Sequence, residues 1–219
     1  MGEYKIGMQT TAPTQSSQIE ETQWIASARR GDLDAFNQLI LRYQDSLFRI
    51  AARMLGDEDQ ACDAVQEALI SAWRSLHTFS GGSLKAWLSR TVMNKCYDEF
   101  RRTSRHRTLP LMPVVDGEEL EEREWLRDPG LPLDIQMESL ELNDAIQDCL
   151  QNLPIAHRAI LVMVDVEGLN YDEAALSLDI PIGTVKSRLA RARASLRASL
   201  GNFSELLPST FQVRLPVSI

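Results

Sequence analysis

Apolar residues recur every three or four positions through two long stretches, about residues 22–103 and 137–200, where glycine and proline are scarce. In the first stretch Phe36, Leu39, Tyr43, Leu47, Ile50 and Met54 share one face of an amphipathic helix. Gly31-Asp32 interrupts the pattern before that helix and offers an N-cap. Gly56-Asp57 interrupts it again, and a third helical segment, DQACDAVQEALISAWRSLHTF, follows. The loop from Ser80 to Ser83, SGGS, separates it from a fourth, LKAWLSRTVMNKCYDEFRRTSR. No alternation of β type is sustained, so the pattern predicts an all-α chain.

Between residues 108 and 136 the periodicity stops. This stretch carries four prolines and two glycines, and from Asp116 to Asp128 it sets seven carboxylates against Arg123 and Arg127. Such a composition cannot bury a core and predicts an acidic linker. The expected organisation is a polar mobile tail over 1–21, a helical domain over 22–107, the linker over 108–136, a second helical domain over 137–200 and an unassigned extension over 201–219. No run is long and apolar enough for a membrane span. The N-terminus lacks the basic and apolar segments of a secretory signal, which fits a cytoplasmic protein.

Charge changes the picture of the second domain. The chain has a formal net charge of −8, yet PIGTVKSRLARARASL, residues 181–196, carries four cations and no carboxylate. Read as a helix, it places Val185, Leu189, Ala192 and Leu196 in a narrow apolar stripe and Thr184, Ser187, Arg188 and Arg191 on another sector. Upstream, NYDEAALSLD predicts a short helix, with Asn170 and Glu173 spaced as a capping box and Ala174, Ala175 and Leu178 as its small packing face. Pro181 stands near the start of the second helix. Helix, tight turn and basic helix make a helix-turn-helix, whose second helix enters the major groove of DNA. A solvated surface would interleave charge signs; this helix does not.

In the first domain Asp63, Gln66 and Glu67 share one helix face. Pattern alone leaves open whether they form a solvated acidic patch or dock a basic partner protein. Trp73, Phe79, Trp87, Tyr97 and Phe100 then fall among Arg90, Lys95, Arg101, Arg102, Arg105 and Arg107. Aromatic rings among cations suit single-stranded nucleic acid, with stacking worth about 1–3 kcal/mol per base; core packing must claim several of the rings. Cys62, Cys96 and Cys149 are scattered, as are His77, His106 and His157. Their spacing suggests no disulfide framework and no metal site.

DAVQEALISAW with FSGGSLKAWLSRTVMNKCYDEFRR resembles the second conserved domain of bacterial sigma factors of the extracytoplasmic-function type. LPIAHRAILVMVDVEGLNYDEAALSLDIPIGTVKSRLARARASLR is similar to their fourth domain. The resemblance implies a dissociable specificity subunit of RNA polymerase that recognises the −35 and −10 promoter elements, helps melt the duplex and starts transcription of a specialised regulon. It implies that Asp63, Gln66 and Glu67 grip the β′ clamp helices of core polymerase, with the β subunit a further partner. Phe79, Ser80 and the following helix would take a flipped base of the −10 element, beside Asn94, Asp98, Arg101 and Arg102. Thr184, Lys186, Ser187, Arg188 and Arg191 would read or clamp the −35 element. An anti-sigma factor is implied as a partner, and no cofactor, metal or small-molecule substrate. The sequence departs from the pattern at Asp179, where the turn often has glycine, and at Ala174, where a larger aliphatic is usual.

Two other readings remain at this stage. A stand-alone helix-turn-helix regulator would carry a ligand or receiver domain in its N-terminal half, and no such pattern is present. An enzyme built on Asp57, Glu58 and Asp59 would need a nucleophile, metal ligands or a phosphate loop, which do not accompany them.

Overall fold

Short polar side chains that start helices, and left-handed residues that end them, divide the chain into its elements. The computed structural model describes residues 15–106 and 133–203. Asp32 accepts the backbone N–H of Ala35 at 3.1 Å and so starts α2 (Leu33–Leu55), after α1 (Gln15–Ala28). Gly56, at φ 79°, closes α2 by donating its N–H to the Ala52 carbonyl. Asp57 accepts from Gln60 N–H at 2.8 Å and starts α3 (Glu58–Ser75), with Glu58 and Asp59 in the first turn. Asp57, Glu58 and Asp59 therefore satisfy and complement the positive end of a helix. A 3-10 turn (Leu76–Thr78) and the glycine loop lead into α4 (Leu84–His106).

Residues 15–21 are helical, where a tail was expected. Glu21 explains the difference: its Oε2 accepts from Tyr43 Oη at 2.6 Å and Arg42 Nη1 at 3.1 Å, while the Arg42 guanidinium lies 4.9 Å from the Trp24 ring. These partners sit on α2, so local periodicity does not reveal them. Helices α2, α3 and α4 pack together with α1 laid on α2. Leu39, Leu47, Ile50, Met54, Leu88, Val92 and Met93 are buried between them.

The second half begins with α5 (Leu133–Gln151), a few residues before the predicted position near 137. The rest of the expected linker, residues 1–14 of the tail and 204–219 of the extension lie outside the described residues. Helix α6 (Ile155–Leu161) runs into a π-helical turn (Val162–Val166). Asn170 and Glu173 then form the reciprocal capping box at the start of α7 (Tyr171–Leu178). Asp179 takes the left-handed turn position at φ 53°, which Asp tolerates better than most residues. Pro181 precedes α8 (Ile182–Leu200), and a 3-10 turn (Gly201–Phe203) follows it. Val185, Leu189 and Ala192 are fully buried and Ala174 lies buried opposite, so α7 and α8 cross closely. Among the described residues there are only helices and turns, as the all-α pattern predicts.

The two halves share one continuous apolar cluster. The seam between them is polar as well. Gln147 and Gln151 donate to carbonyls of Ala52, Arg53 and Met54 in the last turn of α2, and buried Arg158 also donates to Met54. Gly56 is required by its left-handed φ of 79°, and a Cβ there would lie 2.6 Å from the Gln151 side-chain amide, which would have to shift.

Two substitutions separate packing from capping. Leu189→Ala should cost about 2–5 kcal/mol by opening a core cavity, and Asn170→Ala about 1 kcal/mol by removing the cap. Denaturant unfolding followed by circular dichroism should rank them in that order; equal losses would contradict the buried α8 stripe.

Candidate nucleic-acid interface

The apolar stripe of α8 fixes which of its side chains remain available. With Val185, Leu189 and Ala192 turned inward, Lys186, Ser187 and Arg191 are exposed and Thr184 and Arg188 half-buried. Ser187 donates to the Thr184 carbonyl at 3.2 Å, so both hydroxyls sit in the first turns of the helix. The five residues expected to meet duplex DNA thus lie together near one end of a single helix. Arg193, which the sequence leaves beside them, is taken by Asp165 in a two-point ion pair at 2.5 and 2.8 Å. That hydrogen-bonded pairing holds the Arg193 guanidinium above its ordinary pKa and braces α8 against the π-helical turn.

Arg188 is half-buried on α8. Its charge acts on Tyr97 of α4, whose hydroxyl burial pushes up and Arg188 pulls back down. Helix α4 also presents Asn94, Asp98, Arg101 and Arg102 to solvent. Arg101 is paired with Asp98, and Arg102 with Glu99 at 2.9 Å, each across one helical turn. Much of the cationic charge on this face is therefore balanced on its own helix.

The loop before α4 is held at both ends. Phe79 is buried, its ring 5.6 Å from that of Trp87 at 59°. Ser80 is exposed, and Gly81 and Gly82 both have positive φ, at 102° and 91°. Ser83 accepts from Ala86 N–H at 3.2 Å and starts the helix. Phe79 thus anchors the loop from inside, while Ser80 and the glycines form its open edge. Trp73 packs on Phe36 at 5.0 Å, and Phe100 lies 5.4 Å from the Arg158 guanidinium. These rings are engaged within the protein, where the sequence pattern had also allowed bases.

Asp63, Gln66 and Glu67 form one exposed face of α3, and Glu67 accepts from Lys95 at 3.1 Å. Beside Gln66 runs a groove between α2 and α3, lined by Ile40, Phe48, Val65 and Leu69 together with Gln44, Asp45, Arg49 and Cys62. An acidic ridge next to an apolar groove differs from a uniformly solvated face and can dock a protein helix.

Among the described residues, no cluster of acidic, histidine or cysteine side chains is arranged to hold a metal ion. None of the described helices is long and apolar enough to cross a membrane. Cys96 and Cys149 are buried and Cys62 exposed, all as thiols, and burial pushes Cys96 up to about 12.

Sequence reasoning singled out neither Arg158 nor Glu167. The Glu167 carboxylate is wholly buried and met by the Ser46 hydroxyl, by Arg49 at 3.1 Å and by Lys85 at 3.7 Å. Every one of these partners belongs to the first domain, which is why no local signal marks the residue.

Residues 39–106 match the family model described as Sigma-70 region 2, and residues 143–196 that described as Sigma-70, region 4. The chain is 35% identical over 182 residues to the ECF RNA polymerase sigma factor SigM of Mycobacterium tuberculosis, covering 83% of this chain and 85% of that one. It is 30% identical over 182 residues to the ECF RNA polymerase sigma-E factor of Escherichia coli, covering 83% and 94%. The solved structure of CnrH in complex with the cytosolic domain of CnrY aligns with a TM-score of 0.60 at 26% identity, over 84% of this chain and 98% of that one. The sigma factor RpoE, in complex with the anti-sigma factor NepR from Bartonella quintana, aligns at 0.57 and 27% identity, over 75% and 96%. With both regions present in this order on the helices just described, the chain belongs to the extracytoplasmic-function sigma factors, the promoter-recognising subunits of RNA polymerase.

Proposed function

We propose that three surfaces of this chain divide the work of promoter recognition. The α3 face of Asp63, Gln66 and Glu67 docks the β′ clamp helices of core polymerase, and the neighbouring apolar groove supports protein docking there. The Ser80 loop edge, with Asn94, Asp98, Arg101 and Arg102, follows the melted −10 strand. Phe79 supports this edge from the core. Thr184, Lys186, Ser187, Arg188 and Arg191 meet the −35 element in the major groove.

The observation that carries the reading is the exposed helix face of α8, cationic and hydroxylic, set over a fully buried stripe. Phosphate contacts from such a helix provide affinity and salt dependence, while two-point arginine contacts to guanine provide sequence discrimination. Stacking and edge contacts to unpaired bases offset part of the cost of opening the duplex. The chain itself supplies no reaction chemistry in this reading: it positions polymerase, in the cytoplasm where polymerase works. An anti-sigma factor is a further proposed partner, supported by the complex in which the related RpoE is held. A stand-alone regulator would use the helix-turn-helix alone and leave the region 2 surfaces without a role.

Replacing Asp63, Gln66 and Glu67 together by alanine should weaken co-purification with core polymerase without loss of helical signal; undiminished association would clear these residues. Arg188→Ala and Arg191→Ala should each lower binding to −35 duplex and reduce the salt slope by about one unit per lost phosphate contact. An unchanged slope and affinity would remove that residue from the interface.

A further inference from the structure

Helix α8 is held by contacts of two kinds. At its start the backbone N–H groups of Thr184 and Val185 donate to the Pro181 carbonyl at 2.8 and 3.1 Å. Beyond that turn the helix rests on Val185, Leu189 and Ala192, with the small buried Ala174 across from it. Apolar burial is non-directional, so this stripe sets the depth of α8 more firmly than its roll about its own axis. The directional contact comes from Arg193. Its Nε donates to Asp165 Oδ2 at 2.8 Å, and its Nη2 donates to Oδ1. Two parallel bonds from a planar guanidinium to a carboxylate fix orientation as well as distance.

Asp165 stands in the π-helical turn, which the Glu167 N–H closes by donating to the Val162 carbonyl at 3.0 Å. A π turn closes over one more residue than an α turn, so it swings Asp165 away from the direction an unbroken α6 would give it. Hydrogen bonding to Asp165 is the chief cause of the raised Arg193 pKa, and Tyr171, the first residue of α7, adds a smaller pull in the same direction. The π turn, the start of α7 and the recognition helix therefore converge on one guanidinium. Arg193 also stands apart from the sector that meets DNA. At about 100° per residue it falls about 20° from Lys186, but about 120–180° from Thr184, Ser187, Arg188 and Arg191.

We propose that the Asp165–Arg193 pair is a positioning device for −35 recognition, setting the roll of α8 so that Arg188 and Arg191 meet base edges squarely. The inference rests on the promoter reading above, and neither member of the pair contacts the duplex. Both side chains are partly exposed, and ion pairs in such settings add little to stability. The value of this one lies in geometry. A roll of the helix moves the tips of long side chains farther than it moves the backbone. Two-point contacts to guanine need the fork aligned, whereas phosphate contacts carry no sequence information and tolerate displacement. Losing the pair therefore costs discrimination before it costs affinity.

The test uses core polymerase carrying the full chain, which selects duplexes from a promoter-length library of random sequence. Discrimination is the enrichment of the recurring upstream block over its single-base-pair variants. Asp165→Asn and Arg193→Ala should each lower it about tenfold, the worth of about one two-point arginine contact. Preference for the downstream block, the helical signal and the salt slope on the selected duplex should stay as in wild type. Reversing the pair, Asp165→Arg with Arg193→Asp, should recover most of the discrimination.

The rival outcomes differ in sign. If Arg193 were a DNA contact held back by Asp165, Asp165→Asn would raise affinity and steepen the salt slope by about one unit, and Arg193→Ala would not; that result overturns the proposal. A purely structural contribution would lower binding to all upstream sequences alike with discrimination unchanged, which also overturns it, as does a reversed pair no better than the single variants. A wild type that selects no upstream block would overturn the promoter reading and the positioning role together. One that selects a block while Asp165→Asn discriminates equally well would overturn the positioning role alone.

Discussion

The last turn of a helix leaves carbonyls without partners of their own, and at the end of α2 those of Arg53 and Met54 are met from the far half of the chain, which also adds a second donor to the Ala52 carbonyl that Gly56 caps. Gln147, Gln151 and Arg158 supply the donors. Gly56 leaves room for Gln151, and the Arg158 guanidinium reaches Phe100 on α4. Once α2 ends in this way, α5 and α6 are fixed against the first domain, and the π-helical turn delivers Glu167 to Ser46, Arg49 and Lys85. The burial of Arg158, which draws its guanidinium below the ordinary value, follows from this role in holding two domains in one register.

Charge is distributed in keeping with the proposed division of labour. On α4 the cations are matched by Asp98 and Glu99 one turn away, and Lys95 by Glu67 on α3. On α8 the acids are absent from the helix itself, and the ion pair to Asp165 involves Arg193 alone among its cations. A balanced face favours contacts to bases and edges; an unbalanced one favours duplex phosphates, whose field is strong and salt-sensitive.

What the sequence made legible was local. Asp32, Asp57 and Asn170 cap the helices their spacing indicates, Asp179 adopts the left-handed turn, and the α8 stripe is buried at Val185, Leu189 and Ala192 and partly buried at Leu196. Each depends on residues a few positions away. The early start of α1 depends on Glu21 finding Tyr43 and Arg42, and Arg193 is neutralised by Asp165, 28 residues upstream. Glu167 lies in DVEGLNY, a stretch with no periodicity of its own, and its partners are 82 to 121 residues distant. Phe79 reads from composition as a ring among cations, and only the packing of Trp87 turns it inward. Local signals thus gave the elements and the exposed faces, while the seam had to be seen in three dimensions.

The most direct test of the central claim is transcription in vitro from a promoter library, using purified core polymerase with and without this chain. Promoter recognition through two DNA faces predicts new transcripts that start at a fixed distance downstream of a recurring two-block sequence and vanish when the chain is omitted. Transcripts identical to those of core alone, with no association between the chain and core, would contradict it.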